Sequence, residues 1–231
     1  MSHELFGNRF LSRTTPAWHN LGRVFDANDA VSSEDAVSEI ASGIKIEKIP
    51  LVLPVDGVNI DTKKSAIVRH ATPDAELDIF GTVSGNRYEV VNYDELGRTM
   101  NPLSEIYPIE TAGVLKGGRF LFMGLRAESF DVRDIGAEKV DNYVVVVMSQ
   151  VPGQAHQILH TPIRVVCQNT LSYGERAASL NLAIPHTTTA ASVLAFAADV
   201  VINMDKKIAL TKSIFDAMAL APLTPEGFES I

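Results

Sequence analysis

Thr161-Pro162-Ile163-Arg164-Val165-Val166-Cys167-Gln168-Asn169-Thr170-Leu171 joins an apolar run to a polar cap. Ile163–Cys167 has the apolar character of a buried strand. Gln168-Asn169-Thr170 is polar, and Asn169 or Thr170 suits the N-cap of a following helix, its side-chain oxygen accepting a free backbone N–H. Arg164 stands alone inside the apolar run. One reading makes this an amphipathic edge strand with the arginine facing water. The other sets a guanidinium beside a strand–helix junction, where helix amides favour anions, as a phosphate or anion contact.

Upstream, the centre of the chain reads as β-rich. Ser65–His70 is predicted as a strand; Ile79–Val83 and Tyr88–Val91 are predicted to pair across Ser84-Gly85-Asn86-Arg87, which has hairpin turn chemistry. Asn92 is expected to cap a helix over Tyr93–Met100, with Pro102 breaking or restarting it. A second hairpin is expected from Ala112–Leu115 and Arg119–Leu125 around Lys116-Gly117-Gly118. Tyr143–Met148 is a fully apolar strand, and Pro152-Gly153 turns the chain into Gln157–Cys167. Towards the N-terminus, Ser32 with Asp35 opens a short helix, Gly43 fits its left-handed stop, and Ile44–Pro54 alternates like a strand ending in Val55-Asp56-Gly57-Val58. Residues 1–31 read as irregular, with Trp18 and His19 as a groove-docking side chain or a stacking surface.

The last third reads as helical from about Ala190 to Ala219. Leu194, Val201, Ile208 and Phe215 recur every seven residues, with Ala197, Met204, Thr211 and Met218 three further on, an a/d seam. The pattern predicts self-association through the far half, with Ile208 and Phe215 at the contact. The expected organisation is a core of residues 1–189 with an irregular N-terminal arm, then 190–231 as long helix and tail. The fold class is α+β: an antiparallel, hairpin-rich sheet with a β-β-β-α unit and helices packed on one side.

Composition narrows the function classes. The 231 residues carry 46% hydrophobic and 21% charged side chains, enough to build a core. No run of about 18 apolar residues suggests a membrane span, and the first residues lack a secretory pattern. A single cysteine makes no internal disulfide, which fits a reducing cytoplasm. The net charge of −8 has the wrong sign for coating DNA by bulk charge, so a nucleic-acid site must be local.

Enzyme motifs are sparse. Neither a Gly-x-x-x-x-Gly-Lys-Ser/Thr loop nor a strand-linked Gly-x-Gly-x-x-Gly is present. His156, His160 and His186 lack the spacing of a tetrahedral metal set, and Cys167 reads as a small core residue rather than a nucleophile. The expectation is no catalytic residue, no metal and no cofactor. An enzyme using these histidines or Cys167 is the least favoured reading.

Four segments in order are Pro16-Ala17-Trp18-His19-Asn20-Leu21-Gly22, then Phe80–Asn92 with its Ser-Gly-Asn-Arg-Tyr centre, Thr111–Arg119, and Thr161–Leu171. Over residues 14–190 they make the chain resemble the phage/plasmid-like protein family, a domain of unknown function found in phages, prophages and plasmids. The resemblance implies a mobile-element setting in a host cytoplasm. Family members run on past Ile231, so the resemblance implies a shortened relative or a truncated chain. The β-β-β-α order over Ser65–Met100 also occurs in Rad52-like and Redβ-like single-strand annealing proteins, an analogy of element order alone. The resulting expectation is a single-stranded DNA-binding protein that works without an active site, holding phosphates and leaving bases free. Its candidate groove residues are Arg69, Arg87, Tyr88, Lys116, Arg119 and Arg164, each read at a strand or hairpin end. The rival expectation is a protein–protein interaction factor for host takeover or anti-defence, for which an acidic charge is the expected sign.

Overall fold

The structure, a computed structural model, describes residues 4–131, 139–202 and 212–217. In chain order its elements are β1 (Leu5–Arg13), β2 (Arg23–Phe25), α1 (Ser33–Ile40), β3 (Ile46–Val55), β4 (Val58–Arg69), β5 (Asp78–Ser84), α2 (Tyr93–Thr99), α3 (Asn101–Ile106), β6 (Ile109–Leu115), β7 (Phe120–Arg126), β8 (Phe130–Asp131), β9 (Lys139–Val140), β10 (Tyr143–Ser149), β11 (His156–Thr161), α4 (Gln168–Ala177), β12 (Leu180–Ile184) and α5 (Ala190–Ile202). Among the described residues the strands form a seven-stranded sheet, β12-β11-β10-β7-β6-β1-β2, a three-stranded sheet, β3-β4-β5, and the small pair β8-β9. Every pairing is antiparallel except β1 with β2. This is an α+β fold.

Alternation along the strands builds two apolar layers. Val144, Val146, Met148, Leu121, Met123 and Ile158 face one layer, which α1, α2, α3, α5 and the base of the small sheet cover. Tyr143, Val145, Val147, Phe122 and Leu159 face the other, covered by Val165–Cys167 and Leu171 of α4.

Turn and cap chemistry behaves largely as the sequence suggests. Asp56 and Gly57 both have positive φ, 48° and 77°, the type I′ pattern of a two-residue hairpin. Lys116-Gly117-Gly118 makes one 3-10 turn between β6 and β7. The Ser32 hydroxyl accepts from the Asp35 N–H at the start of α1.

Several expectations are corrected. Residues 5–13 are not irregular: β1 lies inside the large sheet, and its polar middle falls in the register shift between Leu5 and Phe10. Ile163–Cys167 is not a strand. It crosses over the sheet face, with Thr111 Oγ1 donating to the Val165 carbonyl at 2.6 Å and Thr170 Oγ1 accepting from the Val166 and Cys167 amides at 2.8 and 3.0 Å. Cys167, rather than Asn169 or Thr170, is the N-cap of α4, and Thr170 serves from the third helical position. Tyr88–Val91 does not pair with β5, because its backbone is taken by others: Glu89 N–H donates to His186 O, Lys48 Nζ donates to Tyr88 O and Gln150 Nε2 to Val91 O. Asn92 occupies the N-cap of α2 without a side-chain capping bond; its amide instead pairs with both backbone groups of Ile46 at 3.0 and 3.1 Å. The β-β-β-α unit therefore begins a strand earlier, spanning Ile46–Thr99.

In α5, Leu194 and Val201 are fully buried, so this half of the seam is core. Met204, Ile208, Thr211 and Met218 lie outside the described residues, and Phe215 is half-buried in a helical stretch at 212–217. Among the described residues no helix is long and apolar enough to cross a membrane.

Candidate nucleic-acid interface

Three of the six candidate residues converge. Arg69, at the end of β4, and Arg119, after the 116–118 turn, flank Asp78 at the start of β5. Asp78 is Arg69's register partner, and its carboxylate accepts two bonds from Arg119, the longer at 3.2 Å. Lys116 completes the corner: its amide donates to Glu4 O at 2.9 Å and its Nζ lies 3.5 Å from the Glu4 carboxylate. Gly118 makes the approach possible, since a Cβ there would stand 2.8 Å from Arg69 Cδ.

Aromatic rings interleave with these cations. Arg69 and Arg9 each lie 5.2 Å from the Phe6 ring centre, Arg119 lies 4.7 Å from Phe80, and Lys116 Nζ lies 5.5 Å from Phe120. Such contacts hold a cation over the negative face of a ring. Four cations thus share the corner with three carboxylates, Glu4, Asp74 and Asp78. Their exposure differs. Arg69 is only 3% exposed and donates to the His70 and Glu76 carbonyls, so it is a structural floor. Lys116 and Arg119 keep 39% and 30% of their side chains open to solvent and are the groups able to meet a ligand.

The other three candidates lie elsewhere. Arg87 is exposed beyond the far end of β5, whose last residue, Ser84, pairs with exposed Lys64. Tyr88 stacks on His186, ring centres 4.5 Å apart and planes at 12°, and burial raises its phenol pKa. Arg164 is on the opposite face of the large sheet, donating to the Glu110 carboxylate and to Ser12 Oγ, both at 2.9 Å. Glu110 is buried and also 3.9 Å from Arg126. Arg164 is not simply solvent-facing: its side chain, 26% exposed, is held in an ion pair with Glu110. The matching signal was in the sequence: Glu110 is a lone acid in the run Ile109–Leu115, as Arg164 is a lone base in its own. Asp78, Glu4 and the three phenylalanines were also missed, since no local pattern ties them to residues 69, 116 and 119.

The histidines divide in the same way. His156 and His186 have ring centres 4.0 Å apart, and His186 Nδ1 donates to the Glu89 carbonyl at 3.3 Å. Burial pulls the His156 pKa down to about 3 and lowers those of His186 and His160. His160 Nδ1 is 2.7 Å from Ser179 Oγ. Among the described residues no group of three His, Cys, Asp or Glu side chains is placed to hold a metal ion.

Cys167 is buried on the other side of the sheet from His156, packed with Val165, Val166 and Leu171. A small packed thiol predicts slow reaction with a thiol reagent in the native protein and fast reaction after denaturation. Cys167→Ala is expected to cost about 1 kcal/mol. Labelling that is equally fast in both states contradicts this placement.

No curated protein and no solved structure matches the chain. A family match covers residues 81–231, taking in β5 after its third residue, the 116–118 turn, the Arg164 segment and α5. The chain belongs to that family, which is described as a domain of unknown function (DUF932).

Proposed function

We propose that this chain is a non-enzymatic single-stranded DNA-binding protein of a phage or plasmid, acting in annealing or recombination. The observation that carries the reading is the gathering of Arg69, at the end of β4, with Lys116 and Arg119 of the 116–119 turn, at one aromatic-lined corner. Arg69 fixes the floor, while Lys116 and Arg119 exchange the Glu4 and Asp78 carboxylates for phosphates. Phosphate contacts of this kind position a strand without reading it, and they suit annealing, where the bases stay free. The β-β-β-α order of Ile46–Thr99 and the resemblance to phage and plasmid proteins support the same setting. Arg87, exposed beyond the far end of β5, gives the strand a second anchoring point about 20 Å away at ~3.3 Å per residue.

One observation favours a second reading, a protein-binding factor. The corner's cations are nearly matched by carboxylates and the chain carries −8 overall, a poor field for attracting DNA.

Opposed substitutions separate the two. Arg119→Ala should weaken binding to an oligothymidylate and flatten the slope of log affinity against log salt by about 0.7, one phosphate contact on a single strand. Asp78→Asn, by releasing Arg119, should tighten binding with circular dichroism unchanged. Shifts in the same direction, or no shift in either variant, remove the corner as the site and leave the protein-binding reading.

A further inference from the structure

The hairpin β3–β4 outruns the sheet to which it belongs. β5 pairs with β4 only over Lys64–Arg69, so the portion from Val52 to Asp61 is a two-stranded ribbon. Within it and its root, Ile49, Val52, Leu53, Val55, Val58 and Ile60 are all exposed large apolar residues. Alternation sets Ile49, Leu51, Leu53 and Val55 on one face of β3. Val58 and Ile60 stand directly opposite Val55 and Leu53, which extends that apolar face across both strands. The reverse face of the ribbon is mixed, with Val52 and Pro54 opposite Asp61 and Asn59.

A solvated sheet face normally carries polar residues, and a contiguous apolar patch marks an interaction surface. The outer edge of β3 is closed to one mode of binding, because Pro50 and Pro54 have no N–H to donate to an added strand. The outer edge of β4 over Val58–Lys63 is polar and unpaired by β5, so the apolar face is the surface that a hydrophobic partner would cover.

We infer that the partner is a second copy of this chain, the two ribbons stacked face to face and inverted about a two-fold axis. Charge supports the pairing. Asp56 sits at the tip, and Lys64, opposite Leu51, sits at the root of the same face; both are exposed, and among the described residues neither makes an ion pair. Inverting one ribbon on the other brings each Asp56 to the other copy's Lys64, the self-complementarity that a two-fold contact requires. The apolar area open to water is modest: about half of roughly 60–120 Å² on each of six side chains, or about 300 Å² per copy, which sets the contact in the weak, transient class. This contact is separate from the DNA corner, and neither claim depends on the other.

Sedimentation velocity on the full chain over roughly 10–100 µM, the range suited to an interface of this size, is expected to show a monomer–dimer equilibrium. Val58→Asp should raise the dimer dissociation constant at least about tenfold while leaving circular dichroism and Tm nearly unchanged, because Val58 is 64% exposed at the ribbon tip and belongs to neither core. Asp56→Lys and Lys64→Asp should each weaken the dimer, and the two together should restore it. A monomeric wild type across the range, or a dimer indifferent to Val58→Asp, overturns the inference. A dimer that Val58→Asp breaks but the double swap fails to restore overturns the inverted arrangement.

Discussion

Urea unfolding at pH 7 and pH 5 is expected to show the protein losing stability on acidification well before its carboxylates titrate. The cause is His156, fully buried at the start of β11 with the His186 ring 4.0 Å away. Desolvation first, and the neighbouring His186 second, hold its pKa at about 3 against 6.5 for a free imidazole. The native state therefore keeps His156 neutral, whereas the unfolded chain takes up a proton as pH falls through 6.5. Stability is full above about pH 6.5 and declines by about 1.4 kcal/mol per unit down to pH 3. The loss reaches about 2 kcal/mol at pH 5 and on the order of 4–5 kcal/mol at pH 3. His186, also depressed by burial, adds to the same slope. His156→Gln removes one titrating group and should flatten the pH dependence between 7 and 5, whatever its baseline stability. If the variant and wild type lose stability in parallel, the buried histidine pair is not the cause.

Gly22→Ala is expected to be the most damaging single-methyl substitution in the N-terminal region. Gly22 has φ +78°, and a Cβ there would lie 1.9 Å from the carbonyl oxygen of Phe10 in β1. A neighbour that is backbone in a paired strand cannot swing aside as a side chain tip can. The substitution must displace β1 or β2, which pair from Leu11 with Arg23 onward. A cost of roughly 4 kcal/mol or more, or loss of soluble protein, is expected. Gly57→Ala is the control: the φ is similar, +77°, but nothing lies within 4 Å of the added methyl. It should cost only about 1–2 kcal/mol, the left-handed penalty alone. Equal costs in urea melts would show that β1 and β2 do not approach as described.

Turn-borne features were legible in the sequence because their signals are local. Asp56-Gly57, Lys116-Gly117-Gly118 and the Ser32 cap each report a backbone conformation set by two or three residues. Two apolar runs misled for one shared reason. Val165–Cys167 and Tyr88–Val91 are as hydrophobic as strands because they pack over cores, but side chains and isolated amides, not ladders, satisfy their backbones. Periodicity reports which side chains are buried and is silent on what the backbone bonds. In β1 the opposite happened: Gly7, Asn8 and Arg9 interrupt the apolar pattern at a register shift, which hid a strand held mainly by its pairing with β6. The candidate site was half legible. Arg69, Lys116 and Arg119 could be picked by type and position, but the counter-charges of Lys116 and Arg119 lie far along the chain, Glu4 just before β1 and Asp78 41 residues from Arg119, and Arg164's partner Glu110 is 54 residues away.

Fluorescence anisotropy of the wild-type protein with a labelled oligothymidylate, titrated across a salt series, reads out whether the corner holds phosphates. Binding that weakens with salt along a slope of about −1.4 to −2, two to three phosphate contacts on a single strand, is the predicted result. Absence of binding at the lowest salt, or an affinity that salt does not change, contradicts it.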